Sequence, residues 1–157
     1  RSKKMDKKFI ADDHLGKLSR YMRIIGLDCL YFNKLTNREL MEISRKEERI
    51  ILTRDWDLYR FVPTQRYLFI KSQNAWEQLK EVCEHCEINP LERSFERCIV
   101  CNSSLLKVNK ENVKTRVPKR SYRWKDEFHE CSKCKRVYWA GTHYEAMLKN
   151  IKKVFSS

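Results

Sequence analysis

The chain has 157 residues, 41% hydrophobic and 11% aromatic, with three Gly and three Pro, which provides for a packed core and excludes a disordered or linker-rich chain. A formal net charge of +13 favours nucleic acid or another anionic surface as partner, against the plainer reading of a solvated, Lys-rich surface. No apolar run approaches the roughly 20 residues of a membrane span, and no apolar signal region follows Arg1-Ser2-Lys3-Lys4, so the sequence reads as a soluble, cytoplasmic protein with no membrane partner.

Opening on Arg1 rather than Met suggests a fragment of something longer. Lys8–Asp12 reads as a buried strand. A helix follows, with Asp13 as its expected N-cap, Leu15, Leu18, Met22 and Ile25 as its apolar stripe, and Gly26 as its stop. Cys29–Phe32 is a second strand. Thr36-Asn37-Arg38-Glu39 is a capping-box sequence opening a helix that runs to about Glu48. Arg49–Thr53 and Tyr67–Ile70 are the third and fourth strands. Asn74 caps a helix with Trp76, Leu79, Cys83 and Cys86 along one side. Strand and helix in alternation predict an α/β fold with a central parallel sheet covered on both faces.

The pattern changes after Asn89-Pro90, dividing the chain into residues 1–90 and 91–157. The first part holds 18 basic against 14 acidic residues and the second 16 against 7, so most of the excess charge lies in the second. Cys98-x-x-Cys101 and Cys131-x-x-Cys134 form paired knuckles, each presenting two thiolates from a tight turn, as a structural zinc requires. Four thiolates leave no open coordination position. Disulfides are the competing reading, disfavoured without a secretory signal. His129 and His143 flank the second knuckle, but four Cys suffice. Cys83-Glu84-His85-Cys86 repeats the spacing, yet both its cysteines continue a helix stripe and read as small buried hydrophobes.

Between the knuckles, residues 107–125 carry eight Lys and Arg, Lys119, Arg120 and Arg123 among them, against the single acid Glu111, with Tyr122 and Trp124 interleaved. Such a segment can neutralise phosphates and stack unpaired bases, or simply be a solvated loop. The chain ends in a helix with Met147, Leu148, Ile151 and Phe155 on its apolar face.

The chemistry is expected in the first part. Phe9-Ile10-Ala11-Asp12 and Ile50-Ile51-Leu52-Thr53-Arg54-Asp55 are apolar runs ending in carboxylates, and in open α/β sheets ligands sit beyond the carboxyl ends of the strands. Asp12 and Asp55 on adjacent strands would hold Mg²⁺ or Mn²⁺. Glu39 is a third candidate, although Thr36-x-x-Glu39 is also a self-contained cap. Asp57 is either a further ligand or a turn former, and Asp13 is a cap rather than a ligand. Lys17, Arg20 and Arg23, spaced i, i+3 and i+6 opposite the apolar stripe, form a basic face that could lead a phosphate backbone to the metal.

The segment Phe9 to Gly26, the run Arg49 to Asp55, the two knuckles and Val137-Tyr138-Trp139-Ala140-Gly141-Thr142-His143 together resemble the Mut-seven C-terminal RNase family, a branch of the PIN-like nucleases. The resemblance covers nearly the whole chain. It implies a PIN-like three-layer domain followed by a zinc ribbon and terminal helix, and metal-dependent ribonuclease activity. Asp12, Glu39 and Asp55 match the family's acidic positions; Asp57 matches no firm feature, and Asp13-His14 receives no role. The expected function is hydrolysis of single-stranded RNA at an acidic Mg²⁺ or Mn²⁺ site. The competing readings are a non-catalytic RNA-binding module that targets a larger nuclease or ribonucleoprotein, and a zinc-ribbon adaptor for an acidic protein.

Overall fold

A computed structural model describes residues 7–61 and 66–156. Lys8–Ala11 (β1), Asp28–Leu30 (β2), Ile50–Thr53 (β3) and Tyr67–Phe69 (β4) pair in the order β2-β1-β3-β4, every neighbour parallel. The side chains of β1 alternate between two cores, as the pleat dictates. Phe9 and Ala11 face Leu18 and Met22 of Gly16–Ile24 (α1) and Leu79 and Val82 of Ala75–Cys86 (α4). Ile10 faces the opposite way, with Leu40 of Asn37–Glu47 (α2) and Leu58 of Trp56–Phe61 (α3). The result is three layers, helix on sheet on helix. Each fully buried Leu or Ile contributes about 1.5–3 kcal/mol through removal of apolar surface from water.

From β1 the chain moves to β2 on one side and then returns past β1 to β3 on the other. β1 and β3 therefore flank the topological switch point, where open sheets leave a crevice at their carboxyl edge.

Local chemistry sets the helix limits. The Thr36 hydroxyl accepts the Glu39 amide at 3.1 Å while Glu39 Oε1 accepts the Thr36 amide at 2.9 Å, completing the capping box of α2. Asn74 caps α4 through Glu77 N. Asp13 does not cap α1, whose N-cap is Leu15 with no side-chain bond. The turn is closed by Asp12 instead, whose carbonyl accepts Leu15 N and whose Oδ1 accepts His14 N. Helix α3 is absent from the sequence reading because its 6 residues are too few for a helical period to register.

Beyond α4, Leu105–Val108 (β5), Phe128–Cys131 (β6) and Val137–Tyr138 (β7) make an antiparallel sheet in the order β5-β6-β7. Between β5 and β6 run a 3₁₀ turn, Lys110–Val113, and the short helix Lys119–Trp124 (α5), held by Val113, Val117 and Phe128. The last helix, Thr142–Phe155 (α6), packs on α4 and places Ile151, 2% exposed, in the first core.

The two sheets are joined at β2, an edge strand with an open backbone. Asn102, directly after the first knuckle, accepts Cys29 N through Oδ1 at 3.1 Å and donates to Asp28 Oδ1 at 2.7 Å. It adopts φ 66°, a left-handed conformation that Asn tolerates better than most residues. Arg23 was assigned above to the exposed basic face of α1. It is instead 7% exposed, donating through Nε to Cys29 O and through Nη1 to Ile99 O and Val100 O. Three carbonyls occupy its guanidinium, so it is a tie between α1, β2 and the first knuckle rather than a phosphate contact.

Candidate functional site

Asp12 continues β1 at the switch point, its amide donating to Leu52 O. It is 7% exposed, and buried carboxylates need donors. Thr53, the last residue of β3, donates its hydroxyl to Asp12 Oδ2 at 2.6 Å and accepts the Asp55 amide at 2.9 Å. One buried hydroxyl thus fixes the Asp12 carboxylate and the backbone that carries Asp55. Asp55 is exposed, and its Oδ1 accepts Asp57 N at 2.9 Å and Leu58 N at 3.4 Å, which opens α3. Asp57 follows in the first turn of that helix.

Glu39 lies in the first turn of α2, the helix that follows β2. Hydrogen bonds from the Thr36 backbone and then its hydroxyl hold the Glu39 carboxyl below the usual range. Both bonds from Thr36 to this carboxylate fall on Oε1.

The side-chain donors lying with Asp12 within 4.8 Å of one another are Asp13 and His14, not Glu39 and Asp55. His14 Nδ1 is 3.0 Å from Asp13 Oδ1, both groups facing solvent. Sequence reasoning set this pair aside. The signal was its position: residues following a strand-end acid in a parallel sheet enter the same crevice. Trp56 was also missed. It stands between Asp55 and Asp57, stacked on Phe69 at 4.0 Å, and is 58% exposed. An exposed Trp between two acids is a readable signal, because burial would otherwise remove so large an apolar group from water.

Arg54 secures the edge from the side of β4, donating to the carbonyls of Ile70, Lys71 and Ser72. At the mouth of α1, the Tyr31 hydroxyl donates to Asp13 O, and its ring sits where a Cβ on Gly16 would come within 2.9 Å. Among the proposed phosphate contacts, Lys17, Arg20, Lys119, Arg120 and Arg123 are exposed, and none has an acidic partner among the described residues.

The second constellation is Cys98, Cys101, Cys131 and Cys134, whose sulfurs all lie within 4.8 Å of one another. Cys98 and Cys134 are 3.6 Å apart, and Cys101 and Cys131 3.3 Å. Metal–sulfur arms of about 2.3 Å in a tetrahedron would separate sulfurs by roughly 3.8 Å, so the cluster is nearly the right size for a metal ion. Lys133 N and Cys134 N point at Cys131 Sγ at 3.3 Å, and the Tyr138 hydroxyl lies 3.1 Å from Cys98 Sγ. Burial works against ionisation of Cys101, but bonds from Ser103, Cys131 and Cys98 bring its thiol down to about 6. Burial and its sulfur neighbours push the Cys131 thiol the other way, upward. His129 stacks on Phe95 at 5.2 Å instead of joining this cluster, and His143, in the first turn of α6, lines a separate cleft. Cys83 and Cys86 are buried among apolar residues, and burial raises both thiols.

No helix among the described residues is long and apolar enough to cross a membrane. The sequence model of the Mut7-C RNAse domain matches residues 7–151. The chain is also 31% identical over 112 residues to the Exonuclease mut-7 homolog of Homo sapiens, a match covering 67% of this chain and 13% of that protein's length.

Proposed function

This chain belongs to the Mut7-C RNAse domain family, and on that premise we propose that it is a metal-dependent ribonuclease acting on single-stranded RNA. The observation that carries the reading is the Thr53 hydroxyl, which ties Asp12 and the Asp55 backbone together at the carboxyl ends of adjacent parallel strands. Asp12 and Asp55, with Asp13 and His14 alongside, would hold Mg²⁺ or Mn²⁺, which when bound supplies an activated water for in-line attack on phosphorus and offsets charge on the leaving oxygen. Glu39 spends Oε1 on its cap and leaves Oε2 for the waters or ribose of the substrate. Asp57 orders water at the same edge. Trp56 offers a face to a base next to the scissile bond. Products would carry 5′-phosphate and 3′-hydroxyl ends.

The four cysteines fit zinc, being four soft donors at nearly tetrahedral spacing with amide hydrogens aimed at sulfur. We assign this module as a structural zinc ribbon appended to a PIN-like domain. Because the chain spans 13% of the human relative's length, a larger protein is its natural setting in this reading.

A second reading rests on one observation. Glu39 and Asp55 stand outside the 4.8 Å group around Asp12, which favours an RNA-binding module with an idle centre. The two separate in a cleavage assay with labelled single-stranded RNA and Mn²⁺. The nuclease reading expects cleavage that Asp12→Asn and Asp55→Asn abolish while RNA binding survives. RNA binding with no cleavage at any Mn²⁺ concentration selects the idle module, and equal cleavage by both variants removes the proposed site.

A further inference from the structure

Away from the acidic edge, α5, β7 and the start of α6 enclose an open cleft of about 900 Å³. Its walls are aromatic, with Trp124, Tyr138, Trp139 and Tyr144 among them, and its cations are Arg97, Arg120 and Lys125. Among the described residues, no Asp or Glu lines it. Two of the cations are engaged: Arg97 donates to Asn102 O, and Lys125 lies 3.7 Å from Glu145. Arg120 is exposed and has no acidic partner among the described residues. Trp124, 71% exposed at the end of α5, is the most exposed of the large apolar side chains among the described residues. An exposed Trp beside an Arg with no acidic partner among the described residues leaves both groups open to a ligand, and flat apolar faces with cations at their rim match a nucleobase and its phosphate.

Helix α1 connects this cleft to the acidic edge. It begins four residues after Asp12 and ends at Ile24, which lines the cleft. Lys17, Arg20 and Ile24 fall at i, i+3 and i+7, on one stripe of that helix. Lys17 and Arg20 are exposed and unpaired among the described residues. The stripe is roughly 10 Å long at 1.5 Å per residue, so the cleft is set apart from the carboxylates but joined to them by a line of positive charge.

We infer that the cleft between α5 and α6 is a holding site for unpaired RNA bases, with Trp124 as the stacking platform and Arg120 as the phosphate contact, and that Lys17 and Arg20 carry the strand along α1 towards Asp12. The direction of the strand towards Asp12 rests on the ribonuclease reading. The binding cleft itself does not.

The test is binding of a fluorescein-labelled 12-nucleotide single-stranded RNA to the zinc-loaded chain with no Mg²⁺ or Mn²⁺ added, read by anisotropy and by quenching of tryptophan fluorescence. Both variants alter exposed side chains of α5. Trp124→Ala should weaken binding roughly fivefold or more, the loss typical of a deleted stacking aromatic, and should remove much of the quenching. Arg120→Ala should weaken binding and flatten its salt dependence. Binding and quenching equal to wild type in Trp124→Ala would overturn the cleft, as would an equal response to polyglutamate, since charge alone would then explain it. If binding depends on Trp124 but no variant or wild-type protein cleaves RNA with Mn²⁺, the cleft stands and the nuclease reading falls. If cleavage proceeds and Trp124→Ala binds normally, the nuclease reading stands and the cleft falls.

Discussion

Arg23 Nη1 donates to the carbonyl of Ile99 at 2.9 Å, across 76 residues of sequence. Burial lowers the Arg23 pKa, an effect that the neighbouring Cys29, Cys98 and Cys101 side chains and the Asp28 carboxylate oppose. The first knuckle and the parallel sheet are therefore one mechanical unit. Arg23→Ala should cost about 2–4 kcal/mol, because three carbonyls lose a charged donor, read as a lower urea midpoint. A strong chelator should lower the unfolding temperature of the whole chain in a single transition, since metal binding and folding are linked. Two separate transitions, with the sheet unaffected by the chelator, would show the coupling to be negligible.

Asp28 predicts a pH dependence. Burial alone would raise its pKa, but hydrogen bonds from Arg49 and Asn102, with the charges of Arg49 and Arg97, hold it below the ordinary value. A folded pKa below the unfolded one gives stability that is present above the unfolded value and lost as pH falls through the folded one. Wild type should therefore lose stability progressively below about pH 4. Asp28→Asn should be less stable by about 2 kcal/mol at pH 7, with this share of the acid loss absent. Parallel stability curves for the two proteins between pH 5 and 2 would refute the assignment.

Gly26 is a third case. Its φ is +93°, and a Cβ there would lie 1.8 Å from the Arg93 carbonyl oxygen. Neither backbone has a flexible end to move aside, so Gly26→Ala should cost about 3 kcal/mol, or roughly 6 to 12 °C in Tm. A variant melting within a degree or two of wild type would mean that the chain crossing beside α1 is not held there.

The parallel sheet, its covering helices and the metal-sized cysteine cluster could be read in the sequence, because period and spacing are local signals. The capping box of α2 and the Asn74 cap were equally legible. What was hidden depended on contacts between distant segments. Arg23 lies at helix positions that look solvent-facing until the knuckle, 76 residues away, covers them. Asp13 resembles a cap until Asp12, tied to β3, takes over the turn. Asp55 announces itself as a strand-end acid, whereas the hydroxyl that links it to Asp12 belongs to a β-branched strand residue that needs no special reason to be there. The packing of α6 on α4 is another such contact, since an amphipathic face does not name the helix it will meet.

That hydroxyl supplies the last prediction. Thr53 is 0% exposed, so its side chain touches no substrate and can act only through the two acids it bridges. Thr53→Val keeps the volume and removes the bridge, leaving Asp12 Oδ2 without its donor and the Asp55 amide without its acceptor. The stability cost should be about 1–2 kcal/mol. With Asp12 as a metal ligand of the proposed nuclease, cleavage should fall further, about 10- to 100-fold, the loss that follows when a group orienting such a ligand is removed. The loss should appear as a higher Mn²⁺ requirement, because a loosened Asp12 carboxylate holds the ion less well. Thr53→Ser, which restores the hydroxyl, should recover most of the activity, a rescue that a merely destabilised core would not produce. If Thr53→Val cleaves RNA at the wild-type Mn²⁺ requirement, Asp12 and Asp55 do not work as a pair.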